Sequence, residues 1–184
     1  MADGLYYNDS RPPWMSAVNI TSVTLATTAK AMYPVDNFPV LGGNYFSFIG
    51  KKLIIELWGK MTSAGTPGNL VIDVYYGNGG DANGTIISSS AAQAITASQT
   101  DLGWYLRYSV RCVTTGATGT LFGSGFFIAN EAIIAPHMLI PASAPAASGS
   151  VNLTTANIIS VQFRRSGSTG ETAQIYDMNV IAAN

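Results

Sequence analysis

The chain has 184 residues, of which 47% are hydrophobic and only 10% charged, with a formal net charge of −1. Its length suits one domain with a real core. The near-neutral charge excludes the basic field that holds a phosphate backbone, so no nucleic-acid partner is expected. No apolar run approaches the roughly 20 residues that span a bilayer, and no membrane partner is expected either. Soluble domains are usually about 25% charged. A chain this poor in charge presents mostly Ser, Thr, Asn, Gly and Ala, and part of its apolar surface is expected to be covered by something other than itself.

Residues 1–16, "MADGLYYNDSRPPWMS", read as an extended N-terminal arm. They are polar and turn-rich, and Pro12 and Pro13 enforce extended backbone. Tyr6, Tyr7 and Trp14 are the candidate interface anchors, because large aromatics favour burial. Such an arm docks either on a neighbouring surface or back on its own sheet. It lacks the basic and apolar regions of a secretion signal, so folding in a cytoplasm is expected. The three N-x-[ST] triplets, at Asn19, Asn83 and Asn152, then read as chance in a Thr-rich chain.

Residues 17–184 read as a single β-sandwich domain, with apolar residues recurring at period two between Gly, Asn and Pro clusters. "VNITSVTLA" and "KAMYPV" come first, Pro34 marking an edge or an end. "KKLIIELWGKMTS" and "NLVIDVYYG" flank "AGTPG", whose Pro and glycines predict a hairpin. In the second strand Leu70, Ile72, Val74 and Tyr76 share one face, and Val71, Asp73 and Tyr75 the other. The loop "GNGGDANG" and the strand "TIISS" follow. "SSSAAQAITASQT" (88–100) is the best helical candidate, or a loop with one turn.

"GWYLRYSVRCV" (103–113) leads through "TTGATG" to "TLFGSGFFIA". After "APHMLIPASAPAASGS", the strands "NIISVQFRR" and "AQIYDMNVIAA" flank "SGSTGET", a second predicted hairpin. About eight or nine strands without crossover helices predict an all-β, antiparallel, jelly-roll-like sandwich. An immunoglobulin-like sandwich is the alternative, although its Cys…Trp…Cys pattern is missing.

Catalytic material is scarce. On the strand through 103–113, Leu102, Trp104, Leu106, Tyr108, Val110 and Cys112 share a face, while Arg107 and Arg111 point the other way. Cys112, the single cysteine, therefore reads as a buried hydrophobe that no arginine activates, and it has no disulfide partner. His137, the single histidine, stands in a proline-flanked loop with no G-x-S-x-G elbow near any serine. "FGSGFF" lacks that pattern too. One histidine cannot build a His-rich metal site. "GNGGDANG" supplies one carboxylate where calcium takes six to eight oxygens, so no metal or cofactor is expected. Glu56 and Asp73 would face each other across the first predicted hairpin. Lys60 is placed there to pair with Asp73, which makes surface charge pairing the simpler account than a glycosidase couple.

"TPGNLVIDVYYG", "AITASQT", "WYLRYSVRCVTTGATGTLFGSG", "LIPASAPAA" and "ISVQFRRSGSTGETAQIYDMNV" occur in this order. The series, over roughly residues 50 to 184, resembles the virion structural proteins of tailed bacteriophages, of the capsid decoration (cement) and minor tail kinds. The resemblance implies a non-enzymatic β-sandwich subunit, commonly a homotrimer, on the capsid exterior. It would bind the major capsid protein and its own symmetry mates, after assembly in the host cytoplasm. A tail or fibre protein that binds a host-surface glycan is the alternative. The group carries no active-site residues, so none transfers here.

Overall fold

The computed structural model describes residues 15–18 as backbone, and 22–33, 40–130, 133, 135, 137–167 and 170–183 in full. The anchors Tyr6, Tyr7 and Trp14 lie outside the described residues. Among the described residues, twelve strands follow in chain order: β1 (Met15–Val18), β2 (Val23–Thr24), β3 (Lys30–Ala31), β4 (Lys52–Thr62), β5 (Asn69–Gly77), β6 (Thr85–Ser89), β7 (Gln93–Ala94), β8 (Leu102–Thr114), β9 (Thr120–Ala129), β10 (His137–Ile140), β11 (Ile158–Arg165) and β12 (Thr172–Ala183). Nine have four residues or more. Among the described residues of the first two predicted strands, Val18 ends β1, and β2 and β3 are strand. Strand β1 begins at Met15, inside the segment read as arm, and pairs with β12.

Two antiparallel sheets pack face to face as a β-sandwich. The larger runs β1-β12-β4-β8-β9-β10, with β2 also on β12, and the smaller runs β3-β11-β5-β6, with β7 also on β5. Among the described residues there is no helix. The Ala-rich segment 88–100 forms the end of β6, β7 and loop instead, its hydroxyls being committed elsewhere. Ser90 Oγ accepts the Ile72 N–H at 2.9 Å, and Ser90 N–H donates to the Ile72 carbonyl. Local competition of this kind disfavours helix in Ser-rich sequence.

Both predicted hairpins are corrected. Strand β4 lies between β12 and β8, whereas β5 lies between β11 and β6 in the other sheet. Strands β11 and β12 are likewise in different sheets. Each connection is an arch that crosses the sandwich, and the two arches are stitched side by side. Asn69 N–H donates to Ser166 Oγ at 2.9 Å, Ser166 N–H to the Asn69 carbonyl at 3.0 Å, and Gly68 N–H to Glu171 Oε1 at 3.2 Å. "TTGATG" does close a hairpin, β8–β9, tied at its end by the Thr114 and Thr120 hydroxyls 2.9 Å apart.

The core is built from the inward parity of each strand. On β8, Trp104, Leu106, Tyr108, Val110 and Cys112 are buried, with residues between them more exposed. Tyr108 crosses to the other sheet, where its hydroxyl meets Ser88 Oγ. Its ring and hydroxyl occupy the space a side chain at Gly123 would need, while at Gly125 a side chain would meet the Arg107 carbonyl. Trp104, Phe127 and Phe163 form an aromatic cluster between the sheets, with centroids 5.3 to 5.7 Å apart. Cys112 is 1% exposed, and burial raises its thiol pKa. A thiol reagent should therefore leave Cys112 unmodified in the native protein and react once denaturant is added. Rapid native labelling would contradict this register.

The smaller sheet is covered on its outer side by its own chain, so β5 is buried on both faces. The loop 78–84 lies over β11: Gln162 accepts the Ala82 N–H at 2.7 Å and donates to the Gly80 carbonyl at 2.9 Å. Asp81 pins β3, accepting the Ala31 N–H at 2.8 Å and the Lys30 ammonium at 2.7 Å. Partial burial pushes the Asp81 pKa up, but the Lys30 and Ala31 donors outweigh it and leave the pKa below the ordinary value. The stabilisation by Asp81 is thus complete above the ordinary carboxylate pKa and fades as pH falls through the lowered folded value. Asp81→Asn should be less stable than wild type at neutral pH, and acid denaturation curves of the two should converge at low pH.

Candidate binding face

The larger sheet presents a different outer side. Its outward residues form rows across the strands, because direct partners in antiparallel pairs stand side by side. One row holds Trp58, Tyr105, Ile128 and His137, and the next Glu56, Arg107, Phe126 and Leu139. Then come Ile54, Ser109 and Ser124, and finally Lys52, Arg111 and Phe122. Trp58 and Tyr105 stack with centroids 4.8 Å apart, and Tyr105 meets Phe126 edge-on at 6.0 Å. Ile128 is 46% and Leu139 64% exposed. Trp58, Tyr105, Ile128, Phe126 and Leu139 thus make an apolar strip, with Ile128 and Leu139 exposed and the three rings half-buried against one another.

Polar groups border the strip. Glu56 Oε1 accepts from the Tyr105 hydroxyl at 3.2 Å and from Arg107 Nε at 3.1 Å. Burial, reinforced by the Glu56 charge, raises the Tyr105 pKa, so its hydroxyl remains a donor. The serine row is low because its side chains are short. With its neighbours it makes an open depression of about 360 Å³, lined by Lys52, Arg107, Ser109, Ser124, Gly125 and Phe126.

The residues weighed as catalytic do not converge. Glu56 projects from the larger sheet and Asp73 from the outer side of the smaller one, with the core between them. Asp73 is buried and pairs with Arg164 Nε at 2.6 Å, while Ser89 also donates to it. Lys60 pairs with Asp101 at 3.0 Å instead of Asp73. His137 opens β10 instead of sitting in a loop, and is exposed beside Ile128. Cys112 pairs with Leu121, seven residues before Ile128 on β9 and so roughly 23 Å from His137 at the strand rise. Asp81 is occupied by Lys30 and Ala31, and among the described residues no group of three or more His, Cys, Asp or Glu is placed to hold a metal ion. Asn152 closes a local turn, its Oδ1 accepting the Thr154 N–H at 3.0 Å.

The face was half visible in the sequence, since alternation puts Tyr105, Arg107, Ser109 and Arg111 on one side of β8. Their neighbours Lys52, Glu56, Ser124 and Phe126 come from strands whose register no local signal specifies. Compared with protein-family models, curated proteins and solved structures, the chain matches none.

Proposed function

We propose that this chain is a non-enzymatic virion structural protein, a capsid decoration (cement) subunit that binds and stabilises the exterior of a phage head. On this reading it assembles as a homotrimer in the bacterial cytoplasm and contacts the major capsid protein. The observation that carries the reading is the apolar strip of Trp58, Tyr105, Ile128, Phe126 and Leu139. Contiguous exposed apolar surface of this kind marks protein contact. The 10% charge content supports it, because buried contact surfaces are depleted in charges that are costly to desolvate. The aromatic residues of the arm, Tyr6, Tyr7 and Trp14, supply further anchors.

The doubly substituted chain Ile128→Asp/Leu139→Asp should fold normally, since both side chains are exposed. It should lose at least about tenfold in affinity for undecorated particles, because central apolar contacts dominate such interfaces. Sedimentation with particles measures this, and unchanged binding would refute the strip as the docking surface. Electron microscopy of the particle tests the wider reading: density in many copies over the shell is expected. Density confined to the tail would favour the second reading, a minor tail or fibre protein at a host-surface glycan. The polar half of the same face, where aromatic rings adjoin Arg107 and two serines, favours that alternative.

A further inference from the structure

The geometry points to the depression beside the apolar strip as a binding site for a carboxylate-bearing sugar. Lys52 and Arg111 are direct cross-strand partners, and Arg107 lies two rows away on β8. These are three of the nine Lys and Arg residues of the chain; Lys52 and Arg107 line the hollow, Arg111 stands beside Lys52, and Glu56 is the carboxylate paired with Arg107. Lys52 pairs with no carboxylate among the described residues. Arg107 uses Nε for Glu56, which holds the guanidinium in place and leaves its terminal nitrogens for an incoming carboxylate. A planar guanidinium fixed in this way suits bidentate carboxylate recognition. Arg111 lies 4.7 Å over the Phe122 ring and is likewise oriented.

The floor and wall select among carboxylates. Ser109 and Ser124 are a direct cross-strand pair and supply two hydroxyls that both donate and accept. A polyhydroxylated ligand matches that floor, and the Phe126 ring offers a flat wall to a sugar face. The volume lies within the range of small-ligand sites. An acidic peptide is disfavoured by position. The lining comes from β4, β8 and β9, all interior strands of the sheet with their backbone groups paired. An extended chain therefore finds no open edge to add to. The inference stands on the depression and not on where in a particle the chain resides.

The test is calorimetric titration of the purified full chain at physiological salt with trigalacturonate, a hyaluronan tetrasaccharide and sialyllactose. Neutral galactotriose and poly-L-glutamate serve as controls. At least one acidic sugar should bind with Kd below about 1 mM, and at least about tenfold more tightly than either control. Lys52→Met and Ser124→Val should each weaken that binding about tenfold. Lys52 makes no ion pair among the described residues, so its replacement should spare the fold, and circular dichroism verifies this for both variants. Failure of all three acidic sugars, equal binding of galactotriose, or equal binding of poly-L-glutamate would overturn the proposal. The Ile128→Asp/Leu139→Asp chain reports on particle docking separately, so the two readings fail independently.

Discussion

Replacing Arg165 by Met should lower the free energy of unfolding by about 3–5 kcal/mol, the usual consequence of stripping one partner from a buried ion pair. Arg165 Nε and Glu171 Oε2 are 2.8 Å apart, with side chains 7% and 0% exposed. Arg165 also donates to the carbonyls of Leu25 and Gly167, and Glu171 accepts the Gly68 N–H. The pair therefore clamps both sandwich-crossing arches and the segment after β2 at one end of the fold. Without Arg165, the Glu171 carboxylate remains buried with its countercharge gone. Glu171→Leu alone should be similarly costly. The double variant Arg165→Met/Glu171→Leu should regain much of the loss, because no charge is then left uncompensated. Urea denaturation of the four proteins measures the coupling. Strictly additive losses would show that the pair acts only through its separate hydrogen bonds.

Trp104→Ala should cost about 3–5 kcal/mol, the range for removing a buried tryptophan. The indole joins Phe127 of its own sheet to Phe163 of the other, so its loss opens a cavity between the two layers. Its room is made by Gly59, where any side chain would collide with the ring and with the Gln174 carbonyl. Trp104→Phe should cost much less, about 1 kcal/mol. The buried Nε1 has no hydrogen-bond partner among the described residues, so phenylalanine gives up volume but none of the bonds seen there. Equal losses for the two variants, measured by chemical denaturation, would show that the indole N–H matters and the cavity does not.

Alternation is a local property of extended backbone, and it was sufficient to orient β8 residue by residue. Trp104, Tyr108 and Cys112 are buried as their parity required, and Arg107 and Arg111 face outward. Composition and spacing were likewise sufficient for an all-β sandwich of about nine substantial strands. Partner choice was beyond them. "AGTPG" and "SGSTGET" read as hairpin turns and "TTGATG" only as a link between strands, yet "TTGATG" closes a hairpin and the other two cross between sheets. Turn residues permit the chain to reverse, but whether the next strand pairs beside the last or above it depends on contacts remote in sequence. Here those are the Arg165–Glu171 clamp and the hydrogen bonds between residues 68–69 and 166–171. The binding face follows the same division. Its members on β8 were legible, but the depression exists only because tertiary register sets Ser109 beside Ser124 and Lys52 beside Arg111.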